Sequence, residues 1–251
     1  MLTDLIFKIK NKISPKYIIE NGYDSQDLID VIIKKNNLYS RDLKETNQIP
    51  LSAIRTLLPF AVGNFSDKVT VLDVGGGGGN HYYEARSATN IENFEWTVLE
   101  TPKMVKAAEE FLVPNPDLRY IDNIQLVAMK TFDLIIANSS IQYVKNPLAF
   151  LQDLVKVDST YLYITRTPLS LHKEYEFNQI SKFRDHGPGY FEIYSKKNLV
   201  STRVRIVPKT EFESILNQKY KIKFSIKEES SALHFGDKKF DSHGYFCERK
   251  N

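Results

Sequence analysis

Five consecutive glycines, Gly75 to Gly79, stand between an apolar run and a segment that begins a helix. The run from Val69 to Val74 is typical of a strand buried on both faces, and the segment from Asn80 to Arg86 is typical of a helix start. A loop without Cβ atoms lets the backbone approach a ligand closely, and the helix that follows offers unpaired N–H donors. The pattern predicts a nucleotide-binding loop.

The spacing of the glycines narrows the class of nucleotide. A dinucleotide loop has the form Gly-x-Gly-x-x-Gly, but the third glycine position falls on Asn80, His81 or Tyr82 in every register. No Gly-Lys-Ser/Thr follows the loop, which excludes a Walker phosphate loop. What remains is the loop type of class I S-adenosylmethionine (SAM) methyltransferases, in which an acid precedes the first glycine. Asp73 is that acid, and the predicted cofactor contacts of the loop are Gly75, Gly76 and Gly77.

A second acid lies at the end of the next apolar run. The segment Trp96 to Glu100 predicts a strand that ends in a carboxylate, and Thr101-Pro102 supplies an N-cap and a first-turn proline for a helix over 103–111. An acid at this strand tip can accept hydrogen bonds from both ribose hydroxyls of a nucleoside. We therefore assign Glu100 and Thr101 to the cofactor site. The alternative for Glu100 is a solvated glutamate that the helix dipole stabilises.

Five segments together resemble a known family. They are VLDVGGGGGNHYYEAR (71–86), WTVLE (96–100), FDLIIANSSIQYVKNP (132–147), YITRTPL (163–169) and SHGYFCER (242–249). The chain resembles, over roughly residues 20 to 249, a family of SAM-dependent methyltransferases often linked to the synthesis of bacterial surface polysaccharides such as O-antigen and capsule. The resemblance implies a SAM cofactor and a class I methyltransferase fold, with acceptors that are mostly uncharacterised.

The alternation of predicted strands and helices indicates an α/β fold. Strands are expected at 118–121, 132–137 and 161–165, and an antiparallel pair at 221–227 and 244–249 closes the sheet. Such alternation implies a doubly wound, Rossmann-like sheet that is mostly parallel and has an antiparallel last strand. We predict an N-terminal helical cap over residues 1–60, with helices at 24–34 and 51–60. A SAM-binding domain over residues 61–251 follows, with an insertion at 166–209 after strand five.

In such a sheet the ligand lies beyond the carboxyl ends of the strands. Asp122 follows strand three, and Asn138 with Ser139 follows strand four. By resemblance, the tip of strand three borders the adenine, and the tip of strand four faces the methionine end and the acceptor. Asp122 could equally cap the next turn. Tyr82 and Tyr143 are expected to contact the acceptor.

Methyl transfer from SAM to a hydroxyl requires alignment of the acceptor and removal of its proton. The candidate bases are His81, in the first turn after the glycine loop, and His172, after strand five. For each histidine, the alternative is a helix cap or a fixed structural hydrogen bond. No spacing of His, Cys and Asp predicts a metal site.

The 166–209 insertion is too long for a simple connection and is rich in aromatic residues, which argues against disorder. Arg166 and Arg184 can offer paired donors to a phosphate or carboxylate, and Tyr190 can stack on a ring. We therefore expect this segment to form the acceptor pocket. The alternative is a solvated surface loop.

Composition excludes several other classes. The chain has 251 residues with a formal net charge of +3, so it lacks the strong positive field of a typical nucleic-acid binder. No apolar stretch approaches the ~20 residues that cross a bilayer, and no signal peptide is recognisable. A single cysteine, Cys247, predicts a packed thiol in a reducing cytoplasm. Residues 2–13 predict a lysine-rich amphipathic helix that docks on the domain, on a partner subunit or on an anionic membrane surface.

The sequence thus predicts a SAM-dependent methyltransferase that acts in the cytoplasm. The expected reaction is O-methylation of a sugar or of a phosphorylated or nucleotide-activated precursor of a bacterial surface glycan. The alternatives are a methyltransferase of other specificity on the same fold, a non-catalytic SAM-binding subunit of a partner enzyme, and an NAD oxidoreductase. The acceptor is expected to be a small molecule or glycan precursor, and an oligomer is possible on sequence grounds.

Overall fold

The computed structural model describes residues 18–19, 22–189 and 199–250. The helices are α1 Gln26–Thr46, α2 Ile54–Val62, α3 Asn80–Ala88, α4 Pro102–Phe111, α5 Pro147–Lys156 and α6 Lys209–Lys219. The strands are β1 Ile18–Ile19, β2 Lys68–Val74, β3 Asn93–Leu99, β4 Leu118–Ile121, β5 Thr131–Asn138, β6 Asp158–Ser170, β7 Tyr175–Lys182, β8 Leu199–Pro208, β9 Tyr220–Phe235 and β10 Lys238–Arg249. The predicted helix at 2–13 lies outside the described residues.

The central sheet is parallel in the order β4-β3-β2-β5-β6. Strand β10 joins β6 in antiparallel orientation, and β9 pairs with β10 to close the sheet at that edge. Strand β2 lies in the middle, so the loop after it opens where the chain order of the strands reverses. The predicted α/β fold with an antiparallel last strand is confirmed.

Side chains alternate across the sheet and build two cores. In β2, Val69 and Val71 face α2 and α3, whereas Leu72 and Val74 face α5 and α6. These residues are at most 4% exposed. Burial on both faces explains the continuous apolar sequence of the strand, since neither face meets water. The rigid centre of the sheet fixes where each strand tip lies.

Helix α1 is longer than the sequence predicted. The apolar pattern that indicated a helix over 24–34 is followed by Lys35 and Asn36, but the helix runs to Thr46. Both polar residues are 1% exposed, because they lie on the same helix face as Leu28, Ile29 and Ile32. The predicted helix at 51–60 consists of a 3₁₀ turn, Leu51–Ala53, followed by α2.

The chain between β6 and α6 contains strands β7 and β8, which pair in antiparallel orientation. Strand β8 also pairs with the end of β6 and with β1. Phe177 of β7 stacks on Phe235 at the tip of β9, with ring centroids 4.1 Å apart. This hairpin stands at the carboxyl end of the sheet, so it forms one wall of the cleft described below.

Cys247 is fully buried, as the sequence predicted, and burial raises the pKa of its thiol to about 12. Among the helices in the described ranges, none has the length and apolar character that a membrane span requires.

Candidate functional site

A cleft of about 2380 Å³ opens beyond the carboxyl ends of the parallel strands. Its walls come from the glycine loop, the strand tips, the N-terminal helices and the β7–β8 hairpin. Of the residues predicted for the site, it is lined by Gly75, Gly76, Gly77, His81, Glu100, Thr101, Asp122, Asn138, Ser139, Tyr143, Arg166 and Arg184.

Three of the five glycines line the cleft, and the last two pack against other parts of the protein. Gly75, Gly76 and Gly77 line the cleft, and Gly77 has a φ of 57°, which favours glycine strongly. Gly78 faces α1 instead, where a Cβ would stand 2.7 Å from Cγ of Asn36. The Asn36 amide donates to the Gly78 carbonyl at 2.6 Å. A Cβ at Gly79 would likewise stand 2.7 Å from Cδ2 of Leu118 in β4, so the last two glycines allow close packing against α1 and the sheet.

Asp73 lies below the loop, fully buried, and its carboxylate is already bonded within the protein. Nδ1 of His81 lies 3.1 and 3.0 Å from its two oxygens, and the indole N–H of Trp96 donates to Oδ2 at 3.1 Å. Asp73 does not line the cleft. Asp73 therefore supports the loop and His81 from beneath and is not open to a ligand.

Nδ1 of His81 faces Asp73, and Nε2 lies 3.3 Å from Nδ2 of Asn138, a contact that is a hydrogen bond only when the imidazole is neutral and Nε2 accepts. Burial disfavours the charged imidazole, but the Asp73 carboxylate outweighs burial through its charge and its hydrogen bond. The pKa of His81 is raised to about 9 as a result. At neutral pH the imidazole is therefore mostly protonated, and it becomes a proton acceptor only as the pH approaches 9.

Glu100 lies at the tip of β3, across the glycine loop from α3. Its two oxygens accept one backbone N–H each, from Gly77 and from Thr101, both at 2.9 Å. Burial raises the pKa of its carboxyl, and the two N–H donors oppose that shift. Each oxygen keeps acceptor capacity for a further donor, such as a ligand hydroxyl.

Thr101 and Asp122 were each predicted to contact the cofactor, and each could also cap the element that follows it. Thr101 is the N-cap of α4 and accepts from the Met104 N–H at 3.4 Å, which confirms the predicted cap. Asp122 is exposed at the rim of the cleft, and the cap of the next turn is Asn123, which accepts from the Gln125 N–H at 2.9 Å. The capping alternative for Asp122 is therefore wrong.

Ser139, just after β5, and Arg166, inside β6 just past its last parallel pair at Thr165, are strained and joined to each other. Ser139 and Arg166 have φ angles of 56° and 54°, which side chains with a Cβ rarely adopt. The Gln142 amide donates to Ser139 Oγ at 3.0 Å and to the Arg166 carbonyl at 3.4 Å. Arg166 is exposed, and its guanidinium lies near enough to Glu228 to help lower the pKa of that carboxyl.

Aromatic side chains lie close to Ser139 and Arg166. Tyr143 contacts Tyr23 edge-on, with ring centroids 5.1 Å apart, and donates to Gln179 of β7 at 3.2 Å. Tyr23 also contacts His186 edge-on at 5.4 Å. Burial raises the pKa of both phenols, so both hydroxyls remain protonated donors. Three separate segments of the chain thus meet at Tyr143.

Two predicted acceptor or catalytic residues, Tyr82 and His172, lie away from the cleft, and Arg184 lies only at its rim. Tyr82 is in the core, 4% exposed, and donates to Asp117, because its position on α3 faces the sheet and not the loop. His172 is exposed in the bend after β6 and does not line the cleft. The Arg184 side chain is 70% exposed at the rim and lies 3.8 Å from Asp185. Tyr190 lies outside the described residues.

Sequence reasoning missed the polar residues of α1. Lys35 donates to the carbonyls of Arg184 and His186 at 2.9 and 2.6 Å, and burial lowers the pKa of its ammonium. Tyr39 donates to Glu84 of α3 at 2.9 Å. The detectable signal was helical spacing, because Lys35 and Tyr39 follow Leu28 and Ile32 by multiples of three to four residues.

Comparison with known proteins bears on the fold. No protein-family model matches the chain, and no curated protein matches it. A SAM-dependent methyltransferase from Clostridium acetobutylicum is 11% identical with a TM-score of 0.51, over 85% of this chain and 98% of that one. Another from Methanosarcina mazei is 12% identical with a TM-score of 0.48, over 76% and 97%.

A third solved structure is the 1,6-didemethyltoxoflavin-N1-methyltransferase of Burkholderia thailandensis, which contains S-adenosylhomocysteine and its acceptor. It is 11% identical with a TM-score of 0.45, over 90% of each chain. At such identities a likeness concerns the fold alone. The strand order and the match to the Clostridium structure together show that this chain has the Rossmann-like fold of class I methyltransferases.

Proposed function

We propose that the chain is a SAM-dependent methyltransferase. The observation that carries this proposal is Glu100, whose carboxylate stands at the tip of β3 and is fixed by the Gly77 and Thr101 N–H groups. A carboxylate fixed in this way beside an open glycine loop suits the two ribose hydroxyls of a nucleoside. The absence of a third motif glycine argues against a dinucleotide.

The size of the cleft supports a second ligand. Drug-sized ligands occupy pockets of about 300–1,000 Å³, and this cleft measures about 2380 Å³. Gly75 to Gly77, Glu100 and Asp122 would hold the cofactor, and space remains toward Tyr143 and Arg166 for an acceptor. When bound, SAM supplies an activated methyl group that a nucleophilic atom of the acceptor can take.

The residues of the chain then have to orient the acceptor and take its proton. His81 is the candidate base, since its imidazole lines the cleft and Asp73 fixes its orientation through Nδ1. Its Nε2 can accept a proton only in the neutral form, which becomes abundant near pH 9. A base with this pKa would give a rate that rises with pH across the neutral range.

For the acceptor we infer an oxygen of a sugar, carrying a phosphate or an activating nucleotide, in the synthesis of a bacterial surface glycan. Arg166 supports the anionic part, because an exposed guanidinium that lines the cleft suits a phosphate. Tyr23, Tyr143 and Gln179 support the sugar, since aromatic edges and neutral amides suit a polyol. Such precursors are made in the cytoplasm, where we expect the protein to act.

One observation favours a second candidate function. Asp73 keeps His81 protonated at neutral pH, so the cleft could bind SAM without a working base. The chain would then be a non-catalytic SAM-binding subunit of a partner enzyme.

Mass spectrometry of candidate acceptors, incubated with the protein and SAM, tests these functions. The panel contains sugar phosphates, nucleotide sugars and the matching neutral sugars, and a gain of one methyl group identifies the acceptor. Calorimetry with S-adenosylhomocysteine and NAD runs beside it. Binding of S-adenosylhomocysteine without methylation of any acceptor would favour the subunit, and binding of NAD alone would overturn the proposal.

A further inference from the structure

Glu84 is a buried carboxylate that has no role in the site as described so far. It lies on α3 one turn after the glycine loop, is 5% exposed, and lines the cleft. Its Oε1 accepts from the Tyr39 hydroxyl at 2.9 Å and from the Asn80 amide at 3.5 Å. Its Oε2 accepts from the Thr56 hydroxyl at 2.6 Å. All three donors are neutral.

Within the described part of the chain, no cationic side chain forms a direct ion pair with Glu84, although the Glu84 charge acts on His81. His81 lies on the same helix, but its Nδ1 faces both oxygens of Asp73. Arg55 lies on the neighbouring helix α2, but its Nε pairs with Glu228 at 2.9 Å. A buried carboxylate without a counter-ion is costly, and hydroxyl donors offset only part of that cost. An ammonium group that enters the cleft would give this carboxylate a direct cationic partner.

We propose that Glu84 binds the α-ammonium group of the amino-acid end of SAM, an inference that rests on the proposed function. Glu100 and Glu84 line one cleft, and the glycine loop, whose Gly77 N–H donates to Glu100, leads directly into the helix that carries Glu84. A ligand with its ribose at Glu100 that extends over the loop brings its other end to α3. That end of SAM carries a primary ammonium group.

The hydrogen-bond capacity of Glu84 fits this assignment. An ionised carboxylate offers about four acceptor sites. Oε1 uses two of them for Tyr39 and Asn80, and Oε2 uses one for Thr56, so one site on Oε2 remains. Tyr39 belongs to α1 and Thr56 to α2, so the two N-terminal helices hold Glu84 in place from both sides. The donors therefore fix its orientation without neutralising it.

The experiment compares ligands with and without the amino-acid end, by calorimetry. S-adenosylhomocysteine carries the ammonium group, its desamino analogue lacks only that group, and 5′-deoxy-5′-methylthioadenosine lacks the whole amino-acid end. In the parent protein, loss of the ammonium group is expected to weaken binding about 10- to 100-fold, the range of a charge-assisted hydrogen bond. Glu84→Gln should cause a similar loss for S-adenosylhomocysteine and leave the affinity for methylthioadenosine unchanged.

Two control variants separate the charge from the packing. Tyr39→Phe and Thr56→Val each remove one neutral donor and keep the carboxylate, so both should retain the preference for S-adenosylhomocysteine. The desamino comparison in the parent protein needs no substitution and remains decisive if Glu84→Gln does not fold. Equal affinity of the parent for S-adenosylhomocysteine and its desamino analogue overturns the assignment, as does equal weakening of all ligands in Glu84→Gln. If the parent binds methylthioadenosine but gains no affinity from the amino-acid end of S-adenosylhomocysteine, this inference alone is refuted. If it binds neither methylthioadenosine nor S-adenosylhomocysteine, the proposed function is refuted as well.

Discussion

The two sides of the cleft differ in how fully their polar groups are bonded. On the glycine-loop side, defined as residues 73–81 with Glu100 and Thr101, the carboxylates of Asp73 and Glu100 accept from His81, Trp96 and two backbone N–H groups. On the strand-tip side, defined as residues 138–143 with Arg166, buried oxygens of Asn138, Ser140 and Gln142 have no bonding partner in the described structure.

Backbone strain shows the same contrast. The positive φ angles of the glycine loop fall on glycines, where they cost little, whereas those of the strand tips fall on Ser139 and Arg166. Each unsatisfied buried group costs about 1–3 kcal/mol, and strain of this kind adds about 1–3 kcal/mol per residue. The glycine-loop side is thus preorganised, while the strand-tip side carries backbone strain and unpaired buried oxygens.

The largest expected effect concerns the base on the glycine-loop side. His81→Ala should lower the methylation rate by roughly 10²–10⁴ and leave SAM affinity almost unchanged, because it removes proton transfer and not a cofactor contact. In the parent, the rate should rise with pH, reach half its maximum near pH 9 and level off above it, since His81 is mostly protonated below that pKa. The pH profile of single-turnover rates measures both effects.

Asp73→Asn provides the matched control for His81. It removes the charge that raises the pKa of His81 while it keeps a hydrogen-bonding side chain. The rising limb of the pH profile should move to lower pH, because the imidazole then loses its proton more easily. A limb that stays near 9 in Asp73→Asn, or a His81→Ala variant that also loses SAM binding, would make His81 structural.

The second prediction tests the preorganised carboxylate. Glu100→Ala should weaken SAM binding by roughly 1.5–3 kcal/mol, the scale of charge-assisted hydrogen bonds, with little change in the fold. Calorimetry measures the affinity, and Asp122→Ala is the control, because Asp122 is exposed and makes a weaker contact at most. Unchanged affinity in Glu100→Ala would remove this residue from the cofactor site.

The sequence predicted the glycine-loop side far better than the strand-tip side. Glycines, a strand-terminal acid and an N-cap threonine carry their conformation in their own residue types, so Gly77, Glu100 and Thr101 could be located from the chain alone. Gln142 reaches the Arg166 carbonyl and Gln179 accepts from Tyr143, and both contacts join residues that are distant in sequence, so no local pattern reveals them. The same limit applied to His172, because the bend after β6 turns it away from the cleft.

The helical cap shows a related limit. Lys35 and Asn36 lie on the buried face of α1 and interrupt its apolar pattern. Periodicity alone therefore predicted a helix that ends too early. Both side chains bond to carbonyls of loops, at His186 and Gly78, which are brought close only by the fold. Polar residues at buried helix positions were therefore the signal for tertiary contacts with the site.

The third prediction concerns the strand-tip side. Arg166→Gln should raise the acceptor KM about tenfold, because one charge-assisted contact to a phosphate is lost, and leave the Kd for SAM unchanged. Arg184→Gln is the matched control, since its side chain is 70% exposed at the rim, and a smaller effect is expected. If both variants methylate the true acceptor like the parent, a neutral sugar becomes the better assignment.

The smallest expected effect sharpens the contrast in strain. Ser139→Gly relieves a φ of 56° but also removes the oxygen that accepts from Gln142 at 3.0 Å. Relief of left-handed strain is worth about 1–2 kcal/mol and a lost hydrogen bond costs about 0.5–1.5 kcal/mol, so the melting temperature should change little or rise slightly. Acceptor kcat/KM should fall nonetheless, because Gln142 then holds only the Arg166 carbonyl. A variant that loses stability by several kcal/mol would show that the tip is an ordinary structural turn, and one that keeps full kcat/KM would show that the Gln142 bridge does not position the acceptor.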